Sequence, residues 1–179
     1  MSLGLHYKNQ EKIFQEIETD TPYLEYPLFQ NTGIVRHGFS TRLGGVSEGC
    51  YSSLNLSFTR GDKEESVREN FRRIGDAMGI KCENMVFTQQ THTANVRVVM
   101  EADRGMGITR KRSYTDVDGL VTNVPGICLV TFLPTVCLCI FGSGEKGGRV
   151  EPLWMERNGI QDWKSDCGAD AERVWIQSS

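Results

Sequence analysis

"DGLVTNVPGICLVTFL", residues 118–133, contains two short apolar runs that are separated by a turn. Each run is rich in aliphatic and β-branched residues and has the length of a single strand. Pro125 and Gly126, which lie between the runs, form a dipeptide that is typical of turns. This stretch therefore predicts two buried strands joined by a short turn, and it indicates that a sheet lies in the interior of the domain.

A strong helical pattern precedes these strands, over residues 63–78. Its apolar residues are spaced four, three and four positions apart and share one face: Val67, Phe71, Ile74 and Met78. Such a face is expected to pack against a sheet. Asp62, followed three residues later by Glu65, predicts an N-cap and a capping box at the start of this helix.

The remaining elements complete a fold in which strands outnumber helices. A short helical pattern around Ile13 and Ile17 comes first, and the glycine- and serine-rich residues 41–53 predict a loop. Further strands are predicted over residues 33–40, 85–90 and 95–100. Because the helices fall between groups of strands, we expect an α+β fold of mixed β-sheets flanked by helices.

The last part of the chain departs from this pattern. Residues 142–179 show neither strand alternation nor a helical period, yet they contain all three tryptophans of the chain: Trp154, Trp163 and Trp175. We therefore divide the chain into a domain over residues 1–141 and an irregular tail over residues 142–179. The tail is expected to pack weakly, because it has no apolar face to offset the entropy of ordering it.

Composition and charge exclude several classes of protein. The chain has 179 residues, of which 39% are hydrophobic and 24% charged, as in ordinary globular domains. Its net charge is −3 and its largest basic block is Arg110-Lys111-Arg112, so a nucleic-acid groove is not expected. No apolar run is long enough to span a membrane. Six cysteines without an export signal indicate free thiols and a cytoplasmic location.

A few polar residues are candidates for chemistry. His92 lies at a predicted strand end, two residues after Gln90, where an imidazole can ligate a metal or act as a general base. A histidine bonded to a turn carbonyl is the commoner case, and this structural role is favoured more strongly for His37. Arg42 in the glycine-rich loop can bind an anion through its planar guanidinium, although most loop arginines are solvated.

The cysteines of the last predicted strand are another candidate. Cys137 and Cys139 would share one face of a strand, where two thiols can hold a soft metal. Cysteines at such positions are more often small core residues.

Taken together, several motifs resemble those of one known family. They are, in order, "RHGFSTRLGGVSEG", "SLNLS", "VRENFRRI", "QQTHTANVRVV" and "TDVDGLVTNVPGICLVTF", and they extend over residues 33–132. In order and spacing these motifs are similar to those of the YfiH/laccase-domain family, which is also called the polyphenol oxidase family. The resemblance implies a single YfiH-like domain whose C-terminal part is incomplete in this chain.

The same resemblance implies an activity and a cofactor. It implies a metal-dependent purine nucleoside phosphorylase that acts on adenosine, inosine and methylthioadenosine with phosphate, together with adenosine deaminase activity. Copper-dependent, laccase-like oxidation of polyphenols is the alternative. The implied metal is zinc or copper, held by a histidine, a cysteine and a second histidine. His92 matches the first of these histidines, while Gln90 and Arg42 are the candidates for binding substrate and phosphate.

The rest of the implied metal site is missing from the chain as written. The family continues with an Ala-Asp-Cys-Val-Pro segment and a later His-Ser/Ala-Gly-Trp-Arg-Gly segment. Here "LPTVCLCIF" follows Phe132, and no histidine follows His92. Cys137 lies one position away from the expected cysteine, and such a shift turns a side chain to the opposite face of a strand.

The genetic code offers an explanation for the missing residues. Read from the third base of each codon, residues 133–140 permit Ala-Asp-Cys-Val-Pro-Leu-Tyr-Phe. Read from the second base, the tail permits Ser-His-Ser-Gly-Trp-Arg-Gly-Thr, in which Gly-Trp is forced because Trp154 and Met155 each have a single codon. We infer that residues 133–179 are translated out of frame. We expect a chain with this out-of-frame segment to be impaired as an enzyme. A non-catalytic fragment is therefore a third hypothesis, beside the phosphorylase and the polyphenol oxidase.

Overall fold

The computed structural model describes residues 14–31, 33, 35–132, 137–142 and 153–154. It contains nine strands in these ranges: β1 (Gln15–Ile17), β2 (Tyr23–Glu25), β3 (Val35–Ser40), β4 (Met85–Phe87), β5 (Val96–Val98), β6 (Gly119–Thr122), β7 (Cys128–Phe132), β8 (Cys137–Gly142) and β9 (Leu153–Trp154). The α-helices in the same ranges are α1 (Pro27–Gln30) and α2 (Glu64–Met78).

The strands form two sheets of mixed direction. The larger sheet has the order β1-β2-β3-β8-β7-β4, and the smaller one has the order β5-β6-β9. Strands β4 and β7 run parallel, as do β5 and β6, whereas the other neighbouring pairs are antiparallel. The predicted α+β fold with mixed sheets is therefore confirmed.

The two apolar runs within residues 118–133 form strands β6 and β7. Leu129 and Val130 of β7 are completely buried, as is Leu120 of β6. Strand β7 pairs with β4 on one side and β8 on the other, which covers both of its edges, and its consecutive buried residues show that both of its faces are covered too. A strand in such a position needs apolar residues throughout, which is what its sequence supplies.

Helix α2 packs its predicted face into the main core. Its four periodic residues are at most 8% exposed: Val67, Phe71, Ile74 and Met78. They contact buried residues of β4 and β7, including Phe87 and Val130. The helix ends at Gly79, whose φ of 71° is a left-handed conformation that glycine adopts without strain.

The predicted capping box of α2 is wrong. The residue that caps the helix is Lys63, which makes no side-chain cap. The Asp62 carboxylate instead accepts hydrogen bonds from Ser47 Oγ at 2.6 Å, Asn55 Nδ2 at 3.0 Å and the Lys63 amide at 2.8 Å. Asp62 thus holds the preceding loop through these hydrogen bonds and does not cap the helix, as the local sequence pattern predicts that it would.

The helix predicted near Ile13 and Ile17 is also wrong at the residues that the structure describes. Gln15–Ile17 form β1, an edge strand that pairs with β2, and Ile17 packs against the main core. Pairing along a sheet edge outweighs a helical pattern of only two apolar residues. Ile13 lies outside the described residues.

Nearly all of the predicted tail also lies outside the described residues. Within residues 142–179 the structure describes Gly142, which ends β8, and the two residues of β9. Strand β8, from the segment that we infer to be out of frame, pairs with β3 and β7, and Cys137 and Cys139 occupy alternate positions along it. Among the described cysteines, Cys50 and Cys82 are free thiols.

Neither described helix is long and apolar enough to cross a membrane.

His37 has the structural role that its sequence context favours. It is 2% exposed on β3, and its Nε2 accepts a hydrogen bond from the Tyr26 amide at 2.6 Å. The rings of Tyr26 and Phe29 pack beside the imidazole. Burial lowers the pKa of His37 below its ordinary value of 6.5. The accepted hydrogen bond requires an unprotonated Nε2, so the folded state holds a neutral imidazole.

This geometry predicts a pH-dependent stability. A lowered pKa in the folded state means that the unfolded chain binds the extra proton first, so stability falls as pH drops below about 6.5. We expect the wild type to lose up to about 1.4 kcal/mol per pH unit relative to His37→Gln. Urea unfolding between pH 8 and pH 5 measures this difference. Identical curves for the wild type and His37→Gln would contradict the assignment.

Candidate active site at the His92 loop

Two parallel strands place Gln90 at one edge of the larger sheet. Because β4 and β7 are parallel, their carboxyl ends lie together, and Gln90 follows β4 at that edge. Its Nε2 donates a hydrogen bond of 2.8 Å to Thr131 Oγ1, near the end of β7. Thr88 Oγ1 lies 3.3 Å from the same hydroxyl. The Gln90 carboxamide is therefore held over the carboxyl ends of both strands, which is where α/β sheets commonly bind ligands.

His92 lies in a tight loop just beyond this edge. Its φ of 66° is left-handed, a conformation that non-glycine residues adopt at a cost of about 1–2 kcal/mol. The residue is exposed to solvent, as are Thr91 and Thr93 on either side. An imidazole in this position can bind a ligand from solvent, provided that another group stabilises the unusual loop conformation.

The Asp118 carboxylate is that group. It accepts hydrogen bonds from three successive backbone amides, those of Thr91 at 3.2 Å, His92 at 3.0 Å and Thr93 at 2.9 Å. The hydroxyl of Thr93 donates a fourth, at 2.7 Å. Asp118 is 7% exposed and directly precedes β6. The loop that carries His92 is thus wrapped around a buried carboxylate from a different part of the chain.

The electrostatics of Asp118 favour its charged form. Burial alone would raise the pKa of this carboxyl group, but the hydrogen bonds from Thr93, Thr91 and His92 outweigh it and lower the pKa. A carboxylate that accepts several amide hydrogen bonds is stabilised as the anion. Sequence reasoning did not single out Asp118. The available signal was an acidic residue in "TDVDGLV", immediately before an apolar strand.

The structure places Arg42 in a different loop. Its side chain is exposed, and its Nη2 donates a hydrogen bond of 3.2 Å to the Ser52 carbonyl. The loop is anchored by the fully buried Asn70 of α2, which accepts a hydrogen bond from the Val46 amide and donates to Ser47 Oγ. Arg42 therefore projects from a fixed loop, as an anion-binding residue must, and its binding role stays a prediction.

The described residues do not complete the metal site implied for His92. Across the described ranges, no three histidine, cysteine or acidic side chains lie close enough together to hold a metal ion. Zinc sites in proteins use three or four protein ligands. His92 supplies one donor, so the described residues do not fit zinc or copper as a resident cofactor.

A large cavity opens beside Gln90. Its volume is about 980 Å³, and its walls come from three segments around residues 57–68, 87–90 and 107–115, closed by Phe132. Gln90 lines this cavity, whereas Arg42 and His92 are not among its lining residues. Gln90 therefore lies in the cavity wall, whereas His92 and Arg42 lie in two other loops.

Comparisons with known proteins agree on the kind of domain. The family model described as multi-copper polyphenol oxidoreductase laccase matches residues 36–150. The purine nucleoside phosphorylase YlmD of Geobacillus stearothermophilus is 34% identical over 141 residues, covering 78% of this chain and 49% of that protein. A purine nucleoside phosphorylase of Corynebacterium glutamicum is 30% identical over 128 residues, covering 72% and 50%.

A solved structure has the same fold. The hypothetical protein YfiH of Bacillus licheniformis superimposes with a TM-score of 0.61 at 26% identity, covering 76% of this chain and 54% of that one. The chain thus spans about half the length of the relatives that it matches.

The hydrogen bonds of Asp118 predict that an isosteric substitution at this position strongly lowers the free energy of unfolding. Asp118→Asn replaces one carboxylate oxygen by an amide donor, which would face backbone donors. We expect it to lower the free energy of unfolding by about 1–3 kcal/mol. Asp116→Asn, an isosteric change at an exposed carboxylate two residues away, should alter it by less than about 0.5 kcal/mol. Urea denaturation measures both, and equal effects would show that the four hydrogen bonds contribute nothing specific.

Proposed function

The chain belongs to the multi-copper polyphenol oxidoreductase laccase family, as its motifs predict, and from this premise we propose that its protein is a purine nucleoside phosphorylase. The relatives from Geobacillus stearothermophilus and Corynebacterium glutamicum both carry that name. The substrates that we propose are adenosine, inosine and methylthioadenosine, each with phosphate. Adenosine deamination is proposed as an accompanying activity.

The observation that carries this proposal is the His92 loop on its Asp118 support. Gln90 and His92 flank the carboxyl edge of the parallel strands, and the loop amides are fixed by the buried carboxylate. In the proposed reaction Gln90 orients the substrate, and His92 would be one of the ligands of a metal in a chain with a complete site. Preorganised groups of this kind lower an activation barrier, because they need no reordering when charge develops.

We propose that Arg42 binds the phosphate. Its guanidinium is exposed, and its loop is fixed by Asn70 and by backbone hydrogen bonds from Ser53 and Leu54 to the Arg42 carbonyl. A planar guanidinium suits the oxygens of phosphate, which accept paired hydrogen bonds. The Ser52 carbonyl that it now contacts is a neutral acceptor, and a phosphate dianion is the stronger one.

We further propose that the chain as written is impaired. The metal that the resemblance implies, zinc or copper, would need a cysteine and a second histidine beside His92, and the in-frame sequence after residue 132 offers neither in the family's pattern. The displaced reading frames of residues 133–179 restore both. Resequencing the gene across codons 133–141 checks this reading directly.

Activity measurements test the proposed function. We expect the frame-restored chain, supplied with zinc and phosphate, to release adenine from adenosine, and we expect the written chain to release none above background. The reason is that a single histidine is too few ligands for a tight zinc site. Zinc content after dialysis is measured in parallel. Comparable turnover by the two chains would contradict the role of the missing cysteine and histidine.

Two further functions are distinguished by the same preparations. The description of the matched family favours copper-dependent oxidation of polyphenols. Oxygen uptake on phenols by the copper-loaded, frame-restored chain, without adenine release, would support it. A non-catalytic role for the written chain is the third candidate, which inactivity of both preparations in both assays would support.

A further inference from the structure

The cavity beside Gln90 concentrates positive charge in a chain whose net charge is −3. Among the described residues, its lining includes five basic residues and one acidic residue, Glu64, which leaves a local excess of four positive charges. The basic residues are Arg60, Arg68, Arg110, Lys111 and Arg112. Like charges in one cavity repel each other, and a bound anion relieves that repulsion. The net charge of the whole chain, from which the sequence predicts no nucleic-acid groove, does not reveal this local excess.

Three of these cations are held in place by the protein. Arg68 forms an ion pair with Glu64 at 2.6 Å. Arg112 Nη1 donates to the Thr88 carbonyl at 3.0 Å, and Arg110 Nη2 donates to the Ala102 carbonyl at 2.6 Å. Carbonyl acceptors position a guanidinium without neutralising its charge. The charge of Arg112, whose acceptor Thr88 lines the cavity, is therefore fixed there and remains available to an anion, whereas the Arg110 guanidinium is bonded to Ala102, outside the lining.

The other two cations make no ion pair with any described residue. Arg60 and Lys111 are exposed at the cavity, on two different segments of its wall. A phosphate group between them would receive charge-assisted hydrogen bonds, which are about twice as strong as neutral ones.

The cavity also has an aromatic side. Phe58 and Phe132 line the cavity and are partly exposed, whereas Phe87, which also lines it, is only 1% exposed and belongs to the main core. Phe58 is 36% exposed. A volume of about 980 Å³ is at the upper end of small-ligand pockets and far exceeds an inorganic anion. The lining therefore suits a ligand with both a charged group and a ring.

We infer that this cavity is a binding site for a small phosphate ester with an aromatic part, of the nucleoside monophosphate class. This inference goes beyond the proposed function, because a nucleoside carries no phosphate. The phosphate lies among Arg60, Lys111 and the fixed guanidinium groups, and the ring lies against the phenylalanine side.

Calorimetric titration of the chain as it exists tests the site, with AMP, adenosine and inorganic phosphate as probes. We expect AMP to bind at least about tenfold more tightly than either adenosine or phosphate, because only AMP meets both parts of the cavity. Raising the salt concentration should weaken AMP binding and leave adenosine binding unchanged, since the phosphate contact is ionic.

A charge-matched pair of variants locates the binding. Lys111→Gln should weaken AMP binding about three- to tenfold, whereas Lys81→Gln, which removes one exposed lysine outside the cavity, should leave it within twofold. Equal affinities for AMP and adenosine, equal affinities for AMP and phosphate, or equal effects of the two variants would each overturn the inference. Because the test needs no turnover, its failure is distinguishable from failure of the proposed function.

Discussion

The buried carboxylate of Asp118 is the constraint on which the candidate site depends. A charge that is removed from water must be compensated, and here three backbone amides and one hydroxyl of residues 91–93 provide that compensation. Satisfying the carboxylate forces the loop to curl around it, and the left-handed φ of His92 is the local cost. The position of His92 is thus set from the start of β6, on the smaller sheet, while Gln90 is set from the larger sheet.

The regular elements could be predicted from the sequence because their signals are local. The period of Val67, Phe71 and Ile74 requires only one helix face and one apolar surface, and the structure supplies both. The runs around Leu120 and Leu129 need no partner to be recognised as buried strands. Where a local pattern competed with tertiary contacts it failed, as at Asp62, which holds the preceding loop instead of capping α2.

The site was less predictable because it depends on distant segments. Asp118 lies 25 to 27 positions from its partners in the His92 loop, and no periodicity connects them. The cavity combines Arg60 and Lys111, which are far apart in sequence, so the basic block at residues 110–112 alone did not reveal it. The residue types alone made His92, with Gln90 beside it, one candidate among several, and the resemblance to a family is what favoured it as a metal ligand over a structural histidine.

Amide hydrogen exchange at Thr91, His92 and Thr93 tests the central claim most directly. These residues are exposed at the surface, so without the Asp118 carboxylate their amides would exchange at the rates of an unstructured peptide. The account predicts that all three amides in the wild-type chain are protected to a similar degree, while the amide of the neighbouring exposed Ala94 is not. Unprotected exchange at all three positions in the folded protein would contradict it.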